Sequence, residues 1–438
     1  MGLDVEIRSG MNRVTWWVFY FFLIAFPVVN GLPLQRLPSG MMSLVLLVVF
    51  VLFLVLSMTA QRIAGRAEGR EVARRAFGVT EWLVVGFGAL ALLASMHSVD
   101  PRTSLWGVAG EYGGLVPTIA YVIVFLWVSK HVEVRWHRTL LIGIAIASVL
   151  PSLYGVLQHT HWLTGIPYQS RSTSFFCNAD FYGTYTALVL LVTLVLYVTE
   201  QRLTRFAYLL LILLQFVALL YSSTRSAWVG GLVGVLFFGS LAIMRNHTLW
   251  KRLLLLVVGV ALVFAIVNLQ SHNQTATRVS SIASNAKQVV TNQQINYVAS
   301  SRWYIWKESI PIIWRHPWLG TGPDTFEQVF QPSSRGLALY LNGSPVANAN
   351  NAYLQKAVTM GIPALIVLVA LYMRLLVVGW RRRHGDGQVE SYLLRVGLMA
   401  AVISYLVQAF FNMDVVMVTP LFWVVLGMLH RGSMDAGE

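Results

Sequence analysis

The sequence predicts an all-α integral membrane protein of about twelve transmembrane helices with one large polar insert, and three observations lead there. Hydrophobic residues make up 56% of the chain and charged residues 11%, against about 25% charged in soluble domains. An interior closed off from water cannot absorb that much apolar surface, so the bilayer serves as the solvent. The apolar residues gather in runs approaching the roughly 20 needed to cross the hydrocarbon, and such runs are helices because lipid offers the backbone no partners. Finally, the cations alternate from loop to loop, as they do where topology places them.

Taken in order, Val14–Pro33 forms the first span. It follows Arg8 and Arg13 without a small-x-small cleavage site, so it reads as an uncleaved segment. Met42–Ala60 is the second, and further spans read at roughly 81–98, 113–128, 139–157, 181–199, 207–222, 228–244, 253–269, 353–377, 392–411 and 418–430. Arg62, Arg66, Arg70, Arg74 and Arg75 fall in one loop, and Lys130, Arg135 and Arg138 in another. Arg202 with Arg205, Arg245 with Lys251 and Arg252, and Arg381 to Arg383 occupy three more. Every second loop is basic, which places these loops and both termini on the cytoplasmic side. The net charge of +14 is therefore topological, and no nucleic-acid partner is expected.

Residues 1–270 thus carry nine spans, 271–351 an external insert, and 352–438 the last three spans. Within the insert, Ser271–Asn296 is polar and expected to be partly mobile. Tyr297–Pro317 has Trp303, Trp306, Ile310 and Ile313 at near-helical spacing, ends at Pro317 and has a potential kink at Pro311. Such a Trp-rich amphipathic segment suits the membrane interface. Gly320-Thr321-Gly322-Pro323 lacks the Lys-Ser/Thr ending of a phosphate loop and reads as a structural turn. Asp324, with Glu327 three positions on, is expected to cap a short helix through Phe330. Cys177 is the single cysteine, so no intrachain disulfide holds the insert.

Outer-side cations are scarce, which singles out Arg102, Arg171, Arg225 and Arg302. Snorkelling to lipid head groups is the plain reading of Arg102 and Arg171. Arg225 sits at a tight turn between apolar runs, and Arg302 opens the Trp-rich helix. Each guanidinium presents five donors in a fork that matches a phosphate, so two of them can hold a diphosphate without metal. The outer carboxylates Asp100, Glu111, Asp180, Glu308, Asp324, Glu327 and Asp414 are not grouped as a magnesium site, and no metal or cofactor is expected.

The stretch Asn348-Ala349-Asn350-Asn351-Ala352-Tyr353-Leu354-Gln355, followed by Gly361-Ile362-Pro363, resembles the bacterial O-antigen ligase and polymerase superfamily. Other elements accumulate in family order: Leu105-Trp106-Gly107 with Gly113-Gly114-Leu115, Ser223-Thr224-Arg225-Ser226, and Arg302 with Trp306. Pro317-x-Leu319-Gly320-x-Gly322-Pro323 and the closing Pro420-Leu421-Phe422-Trp423 complete the set. The resemblance implies a site in the bacterial inner membrane facing the periplasm, where the insert lies. It also implies metal-independent, inverting transfer of a glycan from undecaprenyl diphosphate to lipid A–core oligosaccharide. Arg225 and Arg302 would bind the diphosphate, with Arg102, Arg171, Asn351 and Tyr353 as further candidates for the substrate.

One residue departs from the family pattern. Asn350 stands where the family has its general-base histidine, and an amide cannot accept a proton at neutral pH. Three readings stay open: an inactivated variant, a member using another base, and a non-catalytic relative. Asn350 or Asn351 also suits an N-cap. His316 is the nearest histidine in sequence, and before Pro317 it reads as turn support. An O-antigen polymerase and a protein O-oligosaccharyltransferase share the donor chemistry. A secondary transporter or flippase is the reading from a different class, with buried mid-span charges and broken helices as its marks.

Overall fold

The computed structural model describes residues 13–31, 38–67, 77–160, 162, 165–166, 168–271, 273–281, 297–331, 346–382 and 388–434. The described residues are helical with no strand. In chain order the helices are α1 (Arg13–Ala25), α2 (Met41–Ala67), α3 (Val79–Met96), α4 (Pro101–Trp106), α5 (Leu115–His131), α6 (His137–Ala147), α7 (Val149–Thr160) and α8 (Ala179–Thr199). There follow α9 (Arg205–Ser222), α10 (Arg225–Arg245), α11 (Trp250–Gln270), α12 (Tyr297–Arg315), α13 (Phe326–Val329), α14 (Ala352–Arg382), α15 (Val389–Ala409) and α16 (Thr419–Met434).

Among the described residues, nine helical segments are long and apolar enough to cross a membrane. The α6–α7 pair counts as one of them, Val134–Thr160. Pro151 cannot donate a hydrogen bond back to the turn where that pair divides. The runs expected first, fourth and last are also helical but shorter, at 13, 17 and 16 residues for α1, α5 and α16. The first run does not continue as helix to Pro33: α1 stops at Ala25, and a 3₁₀ turn follows at Val29–Gly31. Residues 282–296, where part of the mobile stretch was expected, lie outside the described residues, as do Arg70, Arg74, Arg75 and Arg383.

Side-chain contacts gather the basic loops at one end of the bundle. Arg138 in the first turn of α6 pairs with Glu200 after α8 and with Glu390 in the first turn of α15, each at 2.9 Å. Arg252 at the start of α11 donates to the carbonyls of Val198 and Glu200 at 2.7 Å. The loops holding the candidate residues meet at the opposite end.

α8 lies at the centre, its apolar window buried throughout, with α6, α9, α10 and α15 packed around it. Small residues permit this closeness. A Cβ on Gly230 of α10 would come within 2.5 Å of the Ser404 carbonyl on α15. Buried polar side chains find one another, as Gln215 does by donating to Ser148 Oγ at 2.7 Å and Thr193 Oγ1 at 2.9 Å.

Candidate functional site

The non-basic end is assembled from the α9–α10 turn outward. Ser223 closes α9 in the left-handed region (φ 53°), and extended Thr224 precedes α10. Thr224 Oγ1 donates to the Ala179 carbonyl at 2.8 Å, and Gly183 leaves room, since a Cβ there would lie 2.5 Å from Thr224 Cβ. This seats Arg225, the first residue of α10, beside the start of α8. Arg171 completes the corner: its Nε donates to the Ser222 carbonyl at 3.1 Å and its Nη2 to Asp180 Oδ1 at 2.6 Å. Asp180 occupies the first turn of α8, where a negative charge suits the helix dipole, and Asn178 Oδ1 accepts from its backbone N–H.

Arg302 approaches from α12. Its Nη1 donates to the Phe411 carbonyl just beyond α15, at 2.9 Å. One turn on, Trp306 packs edge-on against Phe410 and donates from Nε1 to the Ala349 carbonyl at 2.9 Å. Asn412 Nδ2 reaches Thr184 Oγ1 at 3.0 Å and the Asp180 carbonyl at 3.3 Å, tying this segment to the α8 corner. Burial lowers the Arg302 guanidinium pKa below its ordinary value; the Asp180 charge opposes that shift, and the Arg225 and Arg171 charges add to it. Two of the expected arginines, Arg171 and Arg225, are therefore near enough to act electrostatically on a third, Arg302.

A fourth cation joins them that the sequence reading passed over. Residues 274–281 are helical, and Ser281 Oγ accepts from Arg225 Nη1 at 3.3 Å and donates to the Arg278 carbonyl at 2.7 Å. Burial, then the Arg171 and Arg225 charges, lower the Arg278 pKa. The scarcity of outer-side cations was the signal available for it. Arg102 is exposed on α4, and the charges acting on Arg302 do not include it.

Asn350 takes up a left-handed conformation (φ 49°), its N–H donating to Asn348 Oδ1 at 2.9 Å. Its half-buried side-chain amide has no hydrogen-bond partner among the described residues. The cap of α14 is Asn351, whose Oδ1 accepts from the N–H groups of Tyr353 and Leu354 at 3.0 Å each. Tyr353 points its hydroxyl at the Leu406 carbonyl of α15, at 2.9 Å. His316 is exposed just past α12, and its backbone forms the turn through bonds to Ile312 and Gly320.

The glycine motifs prove to be one clasp. Gly361 (φ 84°) interrupts α14, and Pro363 cannot bond back to Thr359. The freed carbonyls of Val358 and Thr359 accept from Thr321 N at 3.1 Å and Gly322 N at 2.8 Å, while Ile362 N donates to the Pro317 carbonyl at 2.8 Å. The break is thus satisfied internally.

Asp324 corrects an expectation. Thr325 occupies the cap position of α13 and makes no side-chain cap bond. Asp324 instead reaches across the chain, its Oδ2 accepting from Val108 N at 2.7 Å and Gly113 N at 3.0 Å. It shapes the loop that carries Glu111, whose Oε1 accepts from Asn348 Nδ2 at 2.5 Å and whose carbonyl accepts from Val416 N at 2.9 Å. Burial first, then the Asp324 and Glu327 carboxylates, push Glu111 up to about 8, against the Asn348 hydrogen bond.

A multi-pass helical membrane protein with a polar, arginine-bearing end is the class these features define. Residues 209–369 match the family model described as O-antigen ligase, a match that supports membership of the O-antigen ligase and polymerase superfamily. The match runs from α9 into the broken α14, covering Arg225, Arg302 and Asn350. No curated protein matches the chain.

Proposed function

We propose that this chain is a glycosyltransferase of the O-antigen ligase type, moving a glycan from undecaprenyl diphosphate to lipid A–core oligosaccharide at the periplasmic face of the bacterial inner membrane. The convergence of Arg171, Arg225 and Arg302 at the end opposite the basic loops carries this reading. Three guanidinium groups, with Asp180 the one carboxylate that ion-pairs with them among the described residues, leave a net positive corner. A lipid diphosphate supplies the matching charge, and as leaving group it gains charge in the transition state. Donors already in place would stabilise that charge without reorganising.

The acceptor hydroxyl attacks the anomeric carbon directly, the bond to the diphosphate oxygen breaks, and the configuration inverts. The lipid tail would lie between helices, which suits a site at the membrane surface. The twelve-span topology is part of this proposal, with α1, α5 and α16 completing the nine long spans. So is the tripartite layout of 1–270, 271–351 and 352–438.

Transfer from undecaprenyl diphosphate-linked glycan to lipid A–core, to a carrier-linked repeat or to protein, run side by side with purified chain, tests the proposal. Product on lipid A–core supports the ligase. Product only on the carrier-linked repeat, or only on protein, replaces it with a polymerase or a protein O-oligosaccharyltransferase. Absence of any product, with glycolipid translocation in sealed vesicles, moves the chain to the transporter class.

A further inference from the structure

The family histidine is replaced by Asn350, so the attacking hydroxyl needs another proton acceptor if this chain transfers glycan. Resting on that reading, we propose that Glu111 is the general base, receiving the acceptor proton on Oε2. Three observations carry the assignment. Glu111 lies at the non-basic end and is joined to the Asn350 segment by two successive hydrogen bonds. Its Oε1 accepts from Asn348 Nδ2, and Asn348 Oδ1 accepts from Asn350 N at 2.9 Å. The same segment is held against the Arg302 helix by Trp306, one turn from Arg302, through the Ala349 carbonyl. Finally, Glu111 is packed deeply but keeps part of its surface, and its Oε2 accepts no hydrogen bond among the described residues without being sealed off, which leaves that oxygen for a hydroxyl.

The carboxyl is tuned for the task. The groups facing it are Asp324 and Glu327 from the 322–327 stretch and Asn348 from the re-entering segment, with Lys356 of α14 acting on Asp324. Asp414 lies in the neighbouring segment, whose Val416 N–H is bonded to the Glu111 carbonyl. Burial, and then the two nearby carboxylates, bring Glu111 to about 8, close to where a general base works best. In the step itself the acceptor O–H bond breaks and its proton passes to Oε2. The hydroxyl oxygen forms the glycosidic bond, and the electron pair of the broken C–O bond stays on the departing diphosphate. Water or bulk buffer later removes the proton.

The test uses full-length chain in lipid nanodiscs, undecaprenyl diphosphate-linked glycan as donor and lipid A–core as acceptor, from pH 6 to 9. Wild-type transfer should rise with pH toward a plateau above about 8, as the carboxylate ionises. Glu111→Gln keeps an acceptor for Asn348, so donor binding should hold while transfer falls by about 10²–10⁴-fold and the limb disappears. Glu111→Asp should retain the limb at a reduced rate. Adding Asn350→His to Glu111→Gln should restore transfer. Wild-type rates with an unchanged limb in Glu111→Gln overturn the assignment, and so does parallel loss of donor binding, which marks a positioning role. A wild-type chain inactive on every acceptor overturns the glycosyl-transfer reading, and this assignment with it.

Discussion

At the scale of single residues, Glu111 gives a pH dependence of stability with a definite sign. Its folded pKa, about 8, lies above the ordinary value of 4.5, so the folded state binds the proton more tightly than the unfolded one. Stability from this group is full below about pH 4.5 and is lost as pH rises through 8. We predict that the unfolding temperature of the wild type falls between pH 5 and 8, and that Glu111→Gln flattens this decline. A parallel decline in both chains would show that the carboxyl is not held in its neutral form. The spare capacity of Asn350 gives a second expectation. Asn350→His introduces an imidazole where the amide has no partner among the described residues, so transferase activity should rise. If it does not, position 350 faces away from the acceptor. Arg225 and Arg302 were legible in the sequence because outer-side cations are rare and family motifs frame them. Glu111 was seen there only as one ungrouped acid, since its Asn348 and Asp324 neighbours lie more than 200 positions away in the chain.

At the scale of elements, α14 concentrates the structural risk. Its N-terminus depends on Asn351, and removing such a cap costs about 1 kcal/mol. Asn351→Ala should lower the unfolding temperature in detergent, and Asn351→Asp should largely retain it. Equal losses in the two would remove the capping account. The break matters more. A Cβ at Gly361 would stand 2.4 Å from the Trp318 carbonyl, at φ 84°. The backbone conformation alone costs a non-glycine residue about 1–3 kcal/mol, so Gly361→Ala should impair folding beyond the loss at Asn351. The motifs around Gly320 and Gly361 were visible in sequence as turn chemistry, but their mutual pairing was not, because backbone bonds between them leave no trace in residue type. The helix α12 shows a similar limit. Near-helical spacing placed Trp303 and Ile310 with Trp306 and Ile313, whereas Ile305 and Ile312 are buried and Trp303, Ile310 and Trp314 are exposed. Apolar residues at 303, 306, 310 and 313 and at 305 and 312 offer two helical stripes, and spacing alone does not declare which one meets protein.

For the whole molecule, the two-ended charge arrangement was the most legible feature. Alternating basic loops predicted one end, and the pairing of Arg138 with Glu200 and Glu390 assembles it. Helix number was less legible, because α1, α5 and α16 fall short of full spanning length. Exposed Cys177, between Arg171 and α8, lies at the other end and offers a direct probe of orientation. A membrane-impermeant thiol reagent should label it from the periplasmic side of sealed spheroplasts. Labelling confined to inverted vesicles would reverse the topology.

The corner formed by Arg171, Arg225 and Arg302 holds like charges close together, and an anion that neutralises them should bind there strongly. Binding of undecaprenyl diphosphate-linked glycan to the wild-type chain, Arg225→Ala and Arg302→Ala, measured at one salt concentration, tests this most directly. A charge-assisted hydrogen bond contributes about 1.5–3 kcal/mol, so each substitution should weaken donor affinity by roughly 10- to 100-fold. Wild-type affinity in both variants would contradict the diphosphate clamp.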